Sequence, residues 1–189
     1  MSLSLSEGSD GELAALALAG RQDAYRELLA RHRESVFRLV RASVGDPHEA
    51  LDITQETFIA AFSALGRYDH ERPFLAWLKH IALNKCRDWA RRRKVRAFFT
   101  RAMPLEMAFD VSDDAISADV QAVDRAELAR VTAAISRLPS RLRDALVLRT
   151  IDGLGQAEAA EVLGVSEKTV ETRLYRARGK LKAMLGDQI

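Results

Sequence analysis

The chain has 189 residues, with 29 Lys and Arg against 27 Asp and Glu and a net charge of +2. That length suits one large or two small domains with real cores, and the weight of Ala, Leu, Arg and Glu over Gly, Pro and aromatics favours helix. A balance this near neutral excludes a globally basic field as the reason to touch nucleic acid, and the single cysteine, Cys86, excludes an internal disulfide. No apolar run approaches the ~20 residues that span a bilayer, and the acidic N-terminus lacks the basic segment of a signal peptide. A cytoplasmic protein, with no membrane insertion of its own, is expected.

Residues up to about Gly8 read as a loose tail, and Asp10 is placed to cap a short helix with Leu13, Leu16 and Ala17. A long helix follows from about Gln22 to Val44, carrying Ala24, Tyr25, Leu28, Leu29, His32, Val36, Phe37 and Val40 near one face. Gly45-Asp46-Pro47 is a stop and restart. The next helix, about His48 to Leu65, turns Leu51, Phe58, Ala61, Phe62 and Leu65 inward and presents Asp52, Gln55 and Glu56 together outward. After a polar connection containing Tyr68, Pro73 opens a helix with Phe74, Trp77, Leu78, Ile81, Ala82, Cys86 and Trp89 on its buried stripe. Cys86 is expected to be a small core residue. Lys79, His80, Asn84, Lys85 and Arg87 form the polar side, which runs into Arg91-Arg92-Arg93-Lys94.

Although net charge is small, it is segregated. From Lys79 to Arg101 nine cations face the single acid Asp88; from Ala102 to Asp124 there is no cation, and the acids alternate with Met103, Leu105, Met107, Phe109, Val111 and Ile116. The spacing predicts an acidic linker over 99–124, between one helical domain over 1–98 and another over 125–189. The fold is expected to be all-α, two small helical bundles joined by that linker.

In the second domain, Val131, Ala134 and Ile135 lead to Leu138-Pro139-Ser140, and Leu142, Ala145, Leu146 and Leu148 follow. The stretch 153–182 then carries the pattern of a helix-turn-helix. Ala157, Ala160, Val162 and Leu163 have short-helix spacing, Gly164 breaks it, and Ser166 caps a second helix whose buried stripe is Val170, Leu174, Ala177 and Leu181. Lys168, Thr169, Thr172, Arg173, Tyr175, Arg176 and Arg178 are left outside, as on a helix that enters a major groove. A helical hairpin with a solvated basic face has the same local pattern. Phosphate-binding glycine loops, HExxH, CxxC and nucleophile elbows are missing from the sequence, and the four histidines do not pair at i, i+4. Neither an enzyme nor a cofactor or metal is expected.

The helix 50–58, with its D-x-x-Q-E-x-F core, the segment from Arg72-Pro73-Phe74 through Asn84 to the arginine run, and the segment from Ser136-Arg137-Leu138-Pro139 through Lys182 occur in an order that resembles the sigma-70 family of bacterial RNA polymerase sigma factors. The similarity is to the small extracytoplasmic-function type, regions 2.2, 2.3–2.4 and 4 in turn. The resemblance implies that Asp52, Gln55 and Glu56 bind the clamp helices of the polymerase β′ subunit, and that the second domain meets the β flap. It implies a pocket for a base flipped from the −10 strand at Tyr68 and Asn84, with Lys85, Arg87, Arg91 and Arg92 on nearby phosphates, as suits an aromatic face, an amide and cations. Lys168, Thr169, Glu171, Thr172, Arg173, Tyr175 and Arg176 fall on the helix that reads the −35 element. Promoter DNA, core polymerase and an anti-sigma factor are the partners implied. Glu171 stands where many relatives carry a cation, and His80 where an arginine is common. A self-sufficient helix-turn-helix regulator and a sigma-like decoy are the competing readings.

Overall fold

A computed structural model describes residues 5–102 and 119–186, and every regular element among them is helical. The α-helices are α1 (Asp10–Leu18), α2 (Gln22–Val44), α3 (Pro47–Ser63), α4 (Phe74–Ala102), α5 (Asp119–Arg137), α6 (Ser140–Leu146), α7 (Gln156–Leu163) and α8 (Glu167–Leu185). A 3-10 turn, Leu65–Arg67, follows α3, and a single π-helical stretch, Val147–Ile151, prolongs α6.

Ser9, not Asp10, caps α1: its Oγ accepts from the Glu12 N–H at 3.2 Å while the Glu12 carboxylate accepts from the Ser9 N–H at 2.7 Å. Asp10 is the first helical residue and is spent otherwise. Its carboxylate meets His32 Nε2 at 2.8 Å and Arg31 Nη1 at 3.2 Å, tying α1 to α2. Gly45 ends α2 at φ 85, a conformation that costs a residue with a Cβ about 1 kcal/mol or more. Asp46 then caps α3 ahead of Pro47 by accepting from the His48 and Glu49 N–H groups.

The stretch expected to be a linker is helical at its two ends. Helix α4 runs on through Ala102 and α5 begins at Asp119, so both ends of the 99–124 stretch are helical. Good helix formers (Arg, Lys, Ala) extend α4, and an acid at the start of α5 suits the positive end of the helix dipole. The remaining residues, 103–118, lie outside the described residues.

Leu28, Val36, Leu39 and Val40 of α2 meet Phe58 and Ala61 of α3 and Phe74, Leu78, Ala82 and Cys86 of α4 in the first half; Ala145, Leu148, Val162, Val170 and Ala177 are buried in the second. These are not separate cores. The buried side chains form one contiguous cluster, with α2 packed on α5 and the π-helical stretch and α4 packed on α7. The two helical domains expected from the sequence pack on each other along α2 and α4.

Cys86 sits at 0% exposure in this core, and burial pushes its thiol up to about 12. At pH 8 the thiolate fraction is then roughly 10⁻⁴. Cys86 is expected to resist alkylation in the native chain over the interval in which the urea-unfolded chain labels to completion. Comparable labelling rates in the two states would contradict this.

Candidate nucleic-acid interface

The helix-turn-helix forms where the sequence put it. The Gly155 N–H donates to the Glu158 carboxylate at 2.6 Å at the start of α7, and Ala159, Ala160, Val162 and Leu163 form its buried side. Ala157, expected in that stripe, is exposed; Ala159 takes its place. Gly164 turns the chain at φ 63, and Ser166 Oγ accepts from the Thr169 N–H at 3.2 Å to start α8. Val170 and Ala177 hold α8 down, with Leu174 and Leu181 half-buried beside them.

This burial fixes which way the rest of α8 points. Lys168, Glu171, Thr172, Tyr175, Arg176 and Arg178 are exposed, and Tyr175 is 80% so. Thr169 and Arg173 are half-buried. Arg141, Ser166, Lys168, Thr172, Arg173 and Arg176 line a shallow basic hollow between α6 and α8. Burial, then the neighbouring cations Arg141 and Arg87, pull Arg173 below the usual guanidinium range. Lys168 Nζ donates to Glu171 at 2.8 Å on the open surface, so Glu171 is paired on its own helix.

The other predicted DNA residues are less available. Tyr68 is buried: its hydroxyl donates to the Arg72 carbonyl at 2.6 Å, and its ring lies 5.2 Å from both Phe74 and Trp77 and 5.0 Å from His70. Burial, then Asp10 and Asp69, raises its hydroxyl above the ordinary value. Asn84 is half-buried, and its Oδ1 accepts from Arg87 Nη1 at 2.8 Å. Arg87 Nε also donates to Asp144 Oδ2 at 2.8 Å, and its Nη2 lies 2.7 Å from the same oxygen. Asp144 has no exposure, and burial holds its carboxyl above the usual range although Arg87 and Arg143 pull the other way. Lys79, expected on the polar side of α4, is 3% exposed and its Nζ lies 2.5 Å from Asp152 Oδ2. Among the predicted −10 residues, Arg91 and Arg92 are exposed; Arg91 pairs with Asp88 at 2.6 Å.

On α3, Asp52 and Gln55 are exposed and Glu56 is half-buried. Glu56 lies 3.6 Å from Lys85 and 3.8 Å from Arg92, so the predicted polymerase and −10 clusters touch through it. Leu51, expected inside, is 42% exposed and Ile59 is 66% exposed. With Gln55 between them at i, i+4 and i+8 they border a groove that also holds Leu29, Phe58 and Phe62. That spacing was in the sequence, but an apolar residue beside a polar cluster reads as core until its surroundings are known. Asp144 and Asp152 were missed altogether: nothing local marks an acid whose partner lies in the other half. Among the described residues there is no cluster of three or more potential metal ligands, and no helix is long and apolar enough to cross a membrane.

Two family descriptions match, "Sigma-70 region 2" over residues 28–96 and "Sigma-70, region 4" over 128–181. The chain is 44% identical over 183 residues to RNA polymerase sigma factor CnrH of Cupriavidus metallidurans, covering 95% of each chain. It is 33% identical over 181 residues to the ECF RNA polymerase sigma factor SigM of Mycobacterium tuberculosis, covering 95% of this chain and 86% of that one. The solved structure of CnrH in complex with the cytosolic domain of CnrY superposes with a TM-score of 0.67 at 36% identity, over 96% of this chain and all of that one.

Proposed function

The chain belongs to the sigma-70 family, in its extracytoplasmic-function group, and directs transcription initiation as an alternative sigma factor; from that premise we propose how its surfaces divide the task. The observation that carries the reading is the outward face of α8, where Lys168, Thr172, Tyr175 and Arg176 stand on a helix anchored by Val170 and Ala177. That helix reads the −35 element in the major groove, while Arg141 and Arg173 flank it for phosphate. Asp52, Gln55 and Glu56 on α3 bind the β′ clamp helices, and the second half meets the β flap. Tyr68, Asn84, Lys85, Arg87, Arg91 and Arg92 serve the unpaired −10 strand. The two readers need little affinity each, because polymerase holds both on one DNA molecule.

Sigma factors are generally initiation factors without a reaction of their own, and this chain performs no catalysis, acts in the cytoplasm and needs no cofactor. A relative solved with a partner's cytosolic domain supports an anti-sigma factor as a further partner. Run-off transcription with purified core polymerase on a cognate promoter tests the reading. Specific initiation is expected; duplex binding without initiation would favour a self-sufficient regulator, and polymerase binding without promoter protection a decoy.

Glu171 sets part of the −35 preference. Its carboxylate can accept from a cytosine N4 amine in the major groove and is repelled by phosphate. Glu171→Gln is expected to change preference at one base pair by ~1–3 kcal/mol and leave the other positions alone. Competition among single-base −35 variants in the holoenzyme measures this; a uniform change at every position would make Glu171 a backbone-field residue instead.

A further inference from the structure

Every donor of the Arg31 guanidinium is used. Nε donates to Glu27 at 2.9 Å, and Nη1 donates to the Gly8 carbonyl at 2.7 Å and to Asp10 at 3.2 Å. Nη2 donates to the Leu5 and Ser6 carbonyls at 2.9 and 2.8 Å. Glu27, one turn earlier on α2, already balances the charge, so the remaining bonds fix position: they gather the chain ahead of α1 onto the side of α2. The Asp10 carboxylate held in this fork also lies 2.8 Å from His32 Nε2, and the His32 ring lies 5.5 Å from Phe74, which meets Tyr68 edge-on at 5.2 Å. Helix α1 runs along the connection that carries Tyr68. A Cβ added at Gly11 would touch His70 at 3.8 Å, and one at Gly66 would touch Leu18 at 3.9 Å.

We infer that Arg31 is a positioning residue for the −10 pocket, acting through Asp10 and α1 on the connection that carries Tyr68. That connection is closed within itself. The Tyr68 hydroxyl donates to the Arg72 carbonyl, the Arg72 N–H to the Asp69 carbonyl at 3.0 Å, and the Glu71 N–H to the Asp69 carboxylate at 3.0 Å. A turn satisfied by its own residues keeps its shape, but its place in the molecule is set by what it leans on: Phe74 and Trp77 on one side and α1 on the other. Leu13, Ala14 and Ala17 bury one face of α1, yet apolar contact is non-directional and leaves its register along α2 open. The directional fork of Arg31 closes that freedom. A site that reads one unpaired base depends on such precision, since an ångström of misplacement costs up to about 100-fold in a geometry-dependent step. The role rests on the assignment of Tyr68 and Asn84 to the −10 strand.

Arg31→Lys tests this, because it keeps a cation opposite Glu27 and Asp10 but has no planar fork to span the three carbonyls. Holoenzyme assembled with the full-length variant is titrated with a labelled single-stranded oligonucleotide from the −10 element of a promoter it transcribes. The same strand, changed at the base whose replacement weakens the parent most, is titrated beside it. Discrimination between the two strands is expected to fall about tenfold in the variant, while affinity for core polymerase and protection of the −35 element stay at the parent's values. Should Arg31→Lys lose helicity by circular dichroism, Asp10→Asn, which takes the charge from one of the fork's acceptors with a side chain of the same shape, reads the same contrast. A merely structural role would lower all three measurements together or none of them, and either result overturns the positioning role. Tyr68→Leu, measured alongside, separates it from the reading beneath it. Discrimination lost in Tyr68→Leu but kept in Arg31→Lys overturns the positioning role alone. Discrimination kept in Tyr68→Leu overturns the −10 assignment, and the positioning role with it.

Discussion

Asp144→Ala is expected to lower the free energy of unfolding by ~3–5 kcal/mol, whereas Asp144→Asn stays within about 1 kcal/mol of the parent chain. The difference follows from what surrounds the carboxylate. Arg87 Nε donates to Oδ2 with Nη2 also 2.7 Å from it, and Arg143, itself 2% exposed, has Nε 3.8 Å from Oδ1 and Nη1 3.4 Å from the Ser136 carbonyl. Nε and Nη2 of Arg143 have no hydrogen-bond partner. Asp144 Oδ1 has no hydrogen-bond partner either, but its carboxylate is the anion that faces both arginines, so alanine leaves the buried Arg143 guanidinium with one long contact and a void beside it. Asparagine keeps an oxygen for Arg87 and gives up only the charge. Burial outweighs the arginines and holds this carboxyl above its ordinary range, so losing the charge removes about as much penalty as attraction. The sign for pH follows. Protonating Asp144 favours the folded chain; that gain is complete below the ordinary aspartate value and is lost as pH rises through the raised folded value. Urea titrations of the parent and both variants at neutral pH measure the contrast. Equal losses for alanine and asparagine would mean that the charge, not the acceptor, is what the arginines need. A loss of ~3–5 kcal/mol is a large part of the 5–15 kcal/mol typical of a domain.

The elements of this fold were legible because each rests on local chemistry. Gly45 at φ 85, Asp46 capping α3 and the Gly164–Ser166 turn between α7 and α8 are decided by residues within one helical turn of each other. The outward face of α8 was legible for the same reason: once Val170 and Ala177 are placed inside, 3.6-residue periodicity places Lys168, Thr172 and Arg176 outside. What the sequence could not convey was the use made of α4. Lys79 and Arg87 read as a solvated polar side, because nothing within a turn of either shows that Asp152 and Asp144 lie opposite. The burial of Tyr68 was not legible for a related reason. An aromatic in a polar connection reads as exposed, and only the meeting of Phe74, Trp77 and His70 around its ring puts it inside. Long-range pairing is where pattern stops carrying information, and here it occupies α4 side chains on the surface that the proposed −10 contact requires to be free.

The face of α3 is where that free surface exists already, and Asp52→Ala combined with Gln55→Ala is expected to weaken association with core polymerase about 100-fold. Both residues are exposed, and neither supports the fold through a hydrophobic contact; Ile53 and Ala61 do that from the other side of the helix. An interface of this kind draws most of its affinity from a few centrally placed groups, and here exposed Leu51 and Ile59 flank Gln55 beside the groove of Leu29, Phe58 and Phe62. Truncating the polar pair removes the hydrogen bonds that fix register while leaving those apolar groups in place, so a remnant of binding should persist. Ile59→Arg is expected to do more. It places a cation on the most exposed apolar side chain of that face, at 66% exposure, where it would have to be desolvated without a partner. Neither change alters a residue of α4 or α8, so circular dichroism should match the parent. Co-elution with purified core polymerase, followed by titration on immobilised core, measures the loss. If Ile59→Arg binds core as tightly as the parent chain, this face of α3 is not the polymerase contact, and the exposed pair of apolar residues on it needs another partner.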